Sequence, residues 1–247
     1  MVKPWIAKQF IVGLDFDGVL ALGVDIKRKY AKKWYGIDLP LEATKEAGFD
    51  SFMRARGQPY TYHQLIGEII ARHMMEYKVP QGCQQTLNAL SKRGVAYVTI
   101  TSRRQSYYEP MVQFCHEHFP SIRYFHNTKD QPKTDFAKRL RLRAYVDDGL
   151  SKLQELRDIP LELIYFRQEE NRREDLGRKD KDRIHEAKSW KAIEDLIIDV
   201  MDLHEAICWD KGCPNNVYAS EYIFQESHKM PRERRQKLLQ RYRSQVR

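Results

Sequence analysis

Phe10-Ile11-Val12-Gly13-Leu14-Asp15-Phe16-Asp17-Gly18-Val19 decides the fold. An uncharged apolar run meets two carboxylates at i and i+2, and a glycine follows them. A short apolar run bounded in this way predicts a buried strand. The Asp-x-Asp-Gly after it predicts a turn whose backbone can approach a ligand closely. Acidic turns also occur in calcium loops, but an EF-hand loop must end in Glu. Counted from Asp15, that last position is Ile26, and Val19, Ala21 and Gly23 fill the odd positions before it. A calcium loop is excluded.

Working outward, a second apolar run, Val95-Ala96-Tyr97-Val98-Thr99-Ile100, follows a helical pattern over 84–93 that ends at Gly94, where a C′ glycine belongs. Further strands are predicted at 122–125, 144–146 and 161–166, with helices over 105–119 and 134–142 between them. Strands alternating with helices predict an α/β fold: a Rossmann-like, mainly parallel sheet with helices on both faces. About sixty residues after Asp17 break this rhythm, too many for a structureless loop in a compact domain. Helical patterns over 27–35, 41–46 and 63–77 make 22–80 a helical cap insertion. The expected division is a core of 1–21 and 81–200, the insertion 22–80, and an extension 201–247. Ser189 is placed to cap a long helix with Trp190, Ile193, Leu196, Ile197, Val200, Leu203 and Ile207 on one face. A basic helix begins near Pro231, with Leu238, Leu239, Tyr242 and Val246 at helical spacing.

Hydrophobic residues are 42% and charged residues 31% of the 247, which excludes wholesale disorder. No apolar run approaches a membrane span, and the short run after the N-terminal lysines meets Asp15 too soon for a signal peptide. Cys83, Cys115, Cys208 and Cys213 form no CxxC pair and read as reduced thiols, so a cytoplasmic location is expected. The net charge is +9, but Pro231 to Arg247 holds seven Lys or Arg and one Glu, a local +6. The rest is nearly balanced.

At the carboxyl ends of the predicted strands stand Asp15 and Asp17, then Thr101-Ser102-Arg103, and Asp147-Asp148, with Lys133 preceding the helix that leads to the last pair. In a parallel sheet these ends form one rim, where ligands bind. So many carboxylates in one small volume require a divalent cation and an anionic substrate to balance them. Lys129 and Lys138 are alternatives to Lys133 as the lysine that reaches the rim.

This order of motifs resembles the haloacid dehalogenase superfamily of aspartyl-phosphate phosphatases. The Ile-Thr-Ser-Arg ending and Pro80-x-Gly82 are most similar to its 5′-nucleotidase branch, including the 5′(3′)-deoxyribonucleotidases. The resemblance covers roughly 9–200. It implies that Asp15 is the nucleophile and Asp17 the general acid and then base. It gives Thr101 and Lys133 to the transferred phosphoryl group, with Gly18, Ser102 and Arg103 around the substrate. It implies Mg²⁺ held by Asp15, Asp147, the backbone carbonyl of Asp17, and either directly or indirectly Asp148. The expected function is Mg²⁺-dependent hydrolysis of a phosphomonoester, a nucleotide being the favoured substrate.

The alternatives are a phosphatase for another small phosphomonoester or a nucleic-acid 3′ end, phosphotransfer to an acceptor other than water, and a non-catalytic nucleic-acid-binding module. The five motif residues argue against the last, since a binder needs no carboxylate pair. A Ser102 nucleophile lacks a recognisable histidine base. Trp34, Tyr35, Tyr60, Tyr62 and His63 offer stacking for a base, although packing within the insertion is the plainer role. His204, Cys208, Cys213 and His228 match no common zinc spacing. The basic tail suits a docked helix better than a nucleic-acid grip, with its arginines turned to water. Oligomeric state is open.

Overall fold

In a computed structural model the described residues are 10–103, 105–129, 131–211 and 230–246. Cys213 and His228, the side chains of Cys208 and Val246, and the N-terminal lysines lie outside what is described.

Six strands form one parallel sheet: β1 (Phe10–Leu14), β2 (Val95–Thr101), β3 (Ile122–Asn127), β4 (Ala144–Asp147), β5 (Glu162–Phe166) and β6 (Ile184–Ala187), in the order β3-β2-β1-β4-β5-β6. The order reverses on either side of β1, which pairs Leu14 with Thr99 on one side and Val146 on the other. That reversal opens a crevice at the carboxyl ends of the central strands. Side chains of β1 alternate as a period of two demands. Phe10, Val12 and Leu14 enter one apolar cluster and Ile11 the other, so both faces of the sheet are covered.

The sheet's crossovers run through α4 (Cys83–Lys92), α5 (Gln105–His118), α6 (Lys133–Leu140), α7 (Leu150–Glu155) and α8 (Arg178–Lys181). Gly94, at φ +89°, ends the α4 crossover as the sequence predicts. The backbone amide of Ala192 donates to Ser189 Oγ at 3.1 Å, so Ser189 caps α9 (Trp190–Lys211). Strand β6 and the short helices α7 and α8 are additions to the sequence reading.

Between β1 and α4 the chain builds α1 (Val24–Tyr35), α2 (Glu46–Arg54) and α3 (Tyr62–His73). The segment predicted as a helix over 41–46 is instead a single tight turn at Leu41–Ala43, and α2 begins where that prediction stopped. Phe49 and Met53 decide this, because α2 buries both. The two ends of the insertion are cross-bonded: the amide of Leu22 donates to the Lys78 carbonyl at 2.8 Å, and that of Lys78 to Leu22 at 3.3 Å. Its residues Ile26, Tyr30, Leu65 and Ile69 belong to the same cluster as Phe10, Val12 and Leu14. The expected aromatics mostly pack within the insertion. Tyr35 and Tyr60 stack at 3.9 Å, and Trp34 lies on Tyr30 and His73.

The basic helix is α10 (Arg232–Val246), and it lies on α9. Leu238 and Leu239 pack against Leu203 and Ile207. Contrary to expectation, two of its arginines do not face water. Arg235 donates to Glu162 Oε1 at 2.8 Å, and Arg243 reaches Asp199 and Asp202 at 2.7 and 2.6 Å. Acidic residues of the body had already claimed these cations. His204 is buried on the Phe10 ring at 5.8 Å, and burial pushes its imidazole down to about 3.

Candidate active site

The strand ends bring together the residues singled out in the sequence. Asp15 follows β1 directly, its amide donating to the Val146 carbonyl at 2.9 Å. Asp147 ends β4, Asp148 comes next, and Thr101 ends β2, with all three buried. Lys133 is the first residue of α6 and only 4% exposed. Its ammonium donates to Asp15 Oδ1 at 2.7 Å, Tyr145 Oη at 2.7 Å and Asp147 Oδ2 at 2.8 Å. An ammonium has three donors, and here three acceptors face them. Lys129 and Lys138 are exposed, which removes them as alternatives.

Gly18 sits at φ +72°, and a Cβ there would come within 2.4 Å of the Asp148 carboxylate. Only glycine meets both demands. Asp147 Oδ1 also accepts from the Gly149 amide at 2.8 Å. Lys45, from the insertion, reaches the Asp148 carboxylate at 3.3 Å, and Asn171 donates to the Asp148 carbonyl at 2.9 Å.

Ser102 is exposed, and Arg103 turns inward. The Arg103 guanidinium grips Asp17 with two bonds, Nε to Oδ2 at 2.9 Å and Nη2 to Oδ1 at 2.5 Å. Its amide donates to Thr101 Oγ1 at 3.3 Å. Thus the arginine expected at the substrate holds the second carboxylate of the pair.

The electrostatics follow from this arrangement. Burial pushes the Asp15 carboxyl up to about 7; Lys133 opposes the rise, while the charges of Asp147 and Asp17 add to it. Burial would raise Asp17 as well, but the Arg103 guanidinium outweighs it and holds that carboxyl below its usual range. Asp148 is raised by burial and by Asp147 against the pull of Lys45. Carboxylate oxygens of Asp15, Asp147 and Asp148 all lie within 4.8 Å of one another. A set of hard oxygen donors gathered this closely fits a hard divalent cation such as Mg²⁺. The Asp17 side chain is not part of that set, which leaves its backbone carbonyl for the role the resemblance gave it.

Sequence reasoning missed Tyr145, Lys45 and Asn171. Tyr145 had a signal, since it stands two residues before Asp147 and a strand puts such residues on one face. Lys45 and Asn171 had none.

The fold and this rim of carboxylates define a hydrolase of the haloacid dehalogenase type. Solved structures agree on the fold. A haloacid dehalogenase family hydrolase from Deinococcus radiodurans, with bound phosphate and sodium, is 13% identical at TM-score 0.55, with 79% of this chain and 97% of that one covered. CbbY from Rhodobacter sphaeroides in complex with phosphate is 15% identical at TM-score 0.53, covering 74% and 95%. A protein described as a predicted phosphoglycolate phosphatase from Haemophilus somnus is 13% identical at TM-score 0.53, covering 76% and 98%. No curated protein matches the chain. The family model for "5' nucleotidase, deoxy (Pyrimidine), cytosolic type C protein" matches residues 9–203, and the chain belongs to that family. It is a phosphatase.

Proposed function

We propose that the protein hydrolyses a nucleotide phosphomonoester through a covalent intermediate on Asp15, with Mg²⁺ bound by Asp15, Asp147 and Asp148. The observation that carries this reading is the Lys133 ammonium set between Asp15 and Asp147 at the ends of two adjacent strands. It leaves the nucleophile a carboxylate oxygen beside a cation that can neutralise incoming phosphoryl charge.

An Asp15 oxygen attacks phosphorus, and the bond from phosphorus to the leaving oxygen breaks as Asp17 delivers a proton to that oxygen. Asp17 then takes a proton from water, whose oxygen attacks phosphorus, freeing inorganic phosphate and restoring Asp15. Because Arg103 holds Asp17 ionised, the acid step requires that pair to loosen. The phosphate dianion is a competing partner for the guanidinium. Thr101 and Lys133 hold the phosphoryl oxygens, while Gly18 and Ser102 line their approach. The bound cation would supply Lewis-acid polarisation of the phosphoryl group. Residues 22–80 act as the cap over this site and 201–247 form a C-terminal extension, and the family's name points to the cytosol.

The test is phosphate release from a panel of nucleoside 5′-monophosphates, with Mg²⁺ and after exhaustive chelation, for wild type and Asp15→Asn. Release is expected only with both Mg²⁺ and Asp15 present. Near-normal turnover by Asp15→Asn, or turnover that survives chelation, would sink the mechanism.

A further inference from the structure

Lys27 has no counterpart in the chemistry above. It lies in the first turns of α1, only 7% exposed, with its ammonium 5.5 Å from the centre of the Tyr62 ring. The ammonium makes no hydrogen bond or ion pair with any described residue. Beside it stands Tyr77, 4% exposed, whose hydroxyl is buried and has no hydrogen-bond partner among the described residues. The two side chains close over Gly23, where a Cβ would meet Tyr77 Cε1 at 2.6 Å and Lys27 Cε at 3.2 Å. A buried ammonium and a buried phenol, both lacking acceptors, are costly to keep. A ligand oxyanion would satisfy both.

Their place in the site gives the ligand's identity. Burial works against the charge on Lys27, but Tyr62, Glu170, Tyr77 and Asp17 around it more than offset that, so the ammonium stays protonated. Glu170 accepts from Thr44 at 3.3 Å and forms no ion pair with Lys27. Asp17 bridges to Ala21, two residues before Gly23, and Arg103, which grips Asp17, reaches Met74 Sδ at 3.9 Å, the residue whose carbonyl accepts from the Tyr77 amide at 3.2 Å. Under the mechanism above Asp17 meets the leaving oxygen, so cap residues grouped around Asp17 face the leaving group and not the transferred phosphoryl.

We infer that Lys27 and Tyr77 form a subsite for a second acidic group on the substrate, so that the preferred phosphomonoester carries a carboxylate or phosphate on its leaving group. The inference rests on the phosphatase reading and names the class of substrate that this site selects.

Two matched pairs test it and separate the two sources of the oxyanion. One pair is a deoxynucleoside 5′-monophosphate and the 3′,5′-bisphosphate of the same nucleoside. The other is 2-hydroxyethyl phosphate and phosphoglycolate. The readout is the ratio of kcat/KM within each pair for wild type, Lys27→Met and Tyr77→Phe. For at least one pair, wild type should favour the acidic member roughly ten- to a hundred-fold, the range a charge-assisted hydrogen bond is worth. Lys27→Met should bring that ratio close to one. Tyr77→Phe, which removes only a hydroxyl and serves if Lys27→Met does not fold, should lower it several-fold. A ratio near one for both pairs in wild type overturns the inference, as does a preference that persists in both variants. If wild type releases phosphate from none of the four compounds with Mg²⁺ present, the phosphatase reading itself has failed.

Discussion

Replacing Lys133 by Met keeps most of the side chain's length and removes the charge between Asp15 and Asp147. The structure sets the size of the effect. Three bonds of 2.7, 2.7 and 2.8 Å are lost from a residue only 4% exposed. Removing one partner from a buried ionic cluster costs about 3–5 kcal/mol. For a chain of this size each kcal/mol moves the Tm by roughly 2–4 °C, so the metal-free variant should melt about 6–20 °C lower. The deficit should also depend on pH. Lys133 lowers the Asp15 carboxyl, and without it that group rises further above its unfolded value. A group raised on folding contributes stability that is present below its unfolded pKa and lost as pH rises through the folded one. The gap between variant and wild type should therefore be small near pH 5 and large near pH 8. Thermal unfolding in chelator at both pH values, followed by addition of Mg²⁺, measures this. Mg²⁺ should restore part of the loss, because a cation bound only by the folded state stabilises it. A Tm within about 2 °C of wild type at pH 8, or a deficit greater at pH 5, would refute the claim that Lys133 compensates these carboxylates.

Two other expectations concern the tail and its anchor. Burial would raise Glu162, but His185 and Arg235 hold it down to about 2, so its stabilisation is present above its unfolded value and lost as pH falls through 2. Glu162→Gln should flatten the stability profile between about pH 5 and pH 2 by about 3 kcal/mol, read from urea midpoints. Deleting 231–247 should expose Leu203 and Ile207 and lower the Tm, while leaving mononucleotide turnover within about two-fold of wild type. Loss of a steep, salt-sensitive oligonucleotide binding in the deletion, with stability unchanged, would instead make the tail a nucleic-acid grip.

How far the sequence could be read depends on how local each signal is. β1 and β2 end in chemistry within one or two residues of the last apolar position, so Asp15, Asp17 and Thr101 could be placed on the rim without coordinates. Lys133 was legible only as one of three lysines, and burial in the fold, which leaves Lys129 and Lys138 exposed, separates it from the other two. β6 was not, because Ile184-His185-Glu186-Ala187 is an edge strand whose middle is polar and partly exposed, and it pairs only with β5. Arg103 has a grip on Asp17 that was not legible, for another reason. Its neighbourhood to Thr101 is local, but its bond to Asp17 spans 86 positions and depends on β1 and β2 lying side by side. Lys45 lies 103 positions from the Asp148 it touches, and nothing around either residue announces the other.

The cross-bond between Leu22 and Lys78 has a consequence for how such proteins diversify. The chain leaves the sheet and returns to it at nearly one point, so everything between is a closed loop whose length matters little. Doubling such a loop costs only about 0.6 kcal/mol in closure entropy. By that measure the insertion could be exchanged wholesale for another. Yet Ile26, Tyr30, Leu65 and Ile69 share one apolar cluster with Phe10, Val12 and Leu14. A segment borrowed from a relative would thus match the crossing point and fail at the seam, unless the interior of the sheet domain changed along with it.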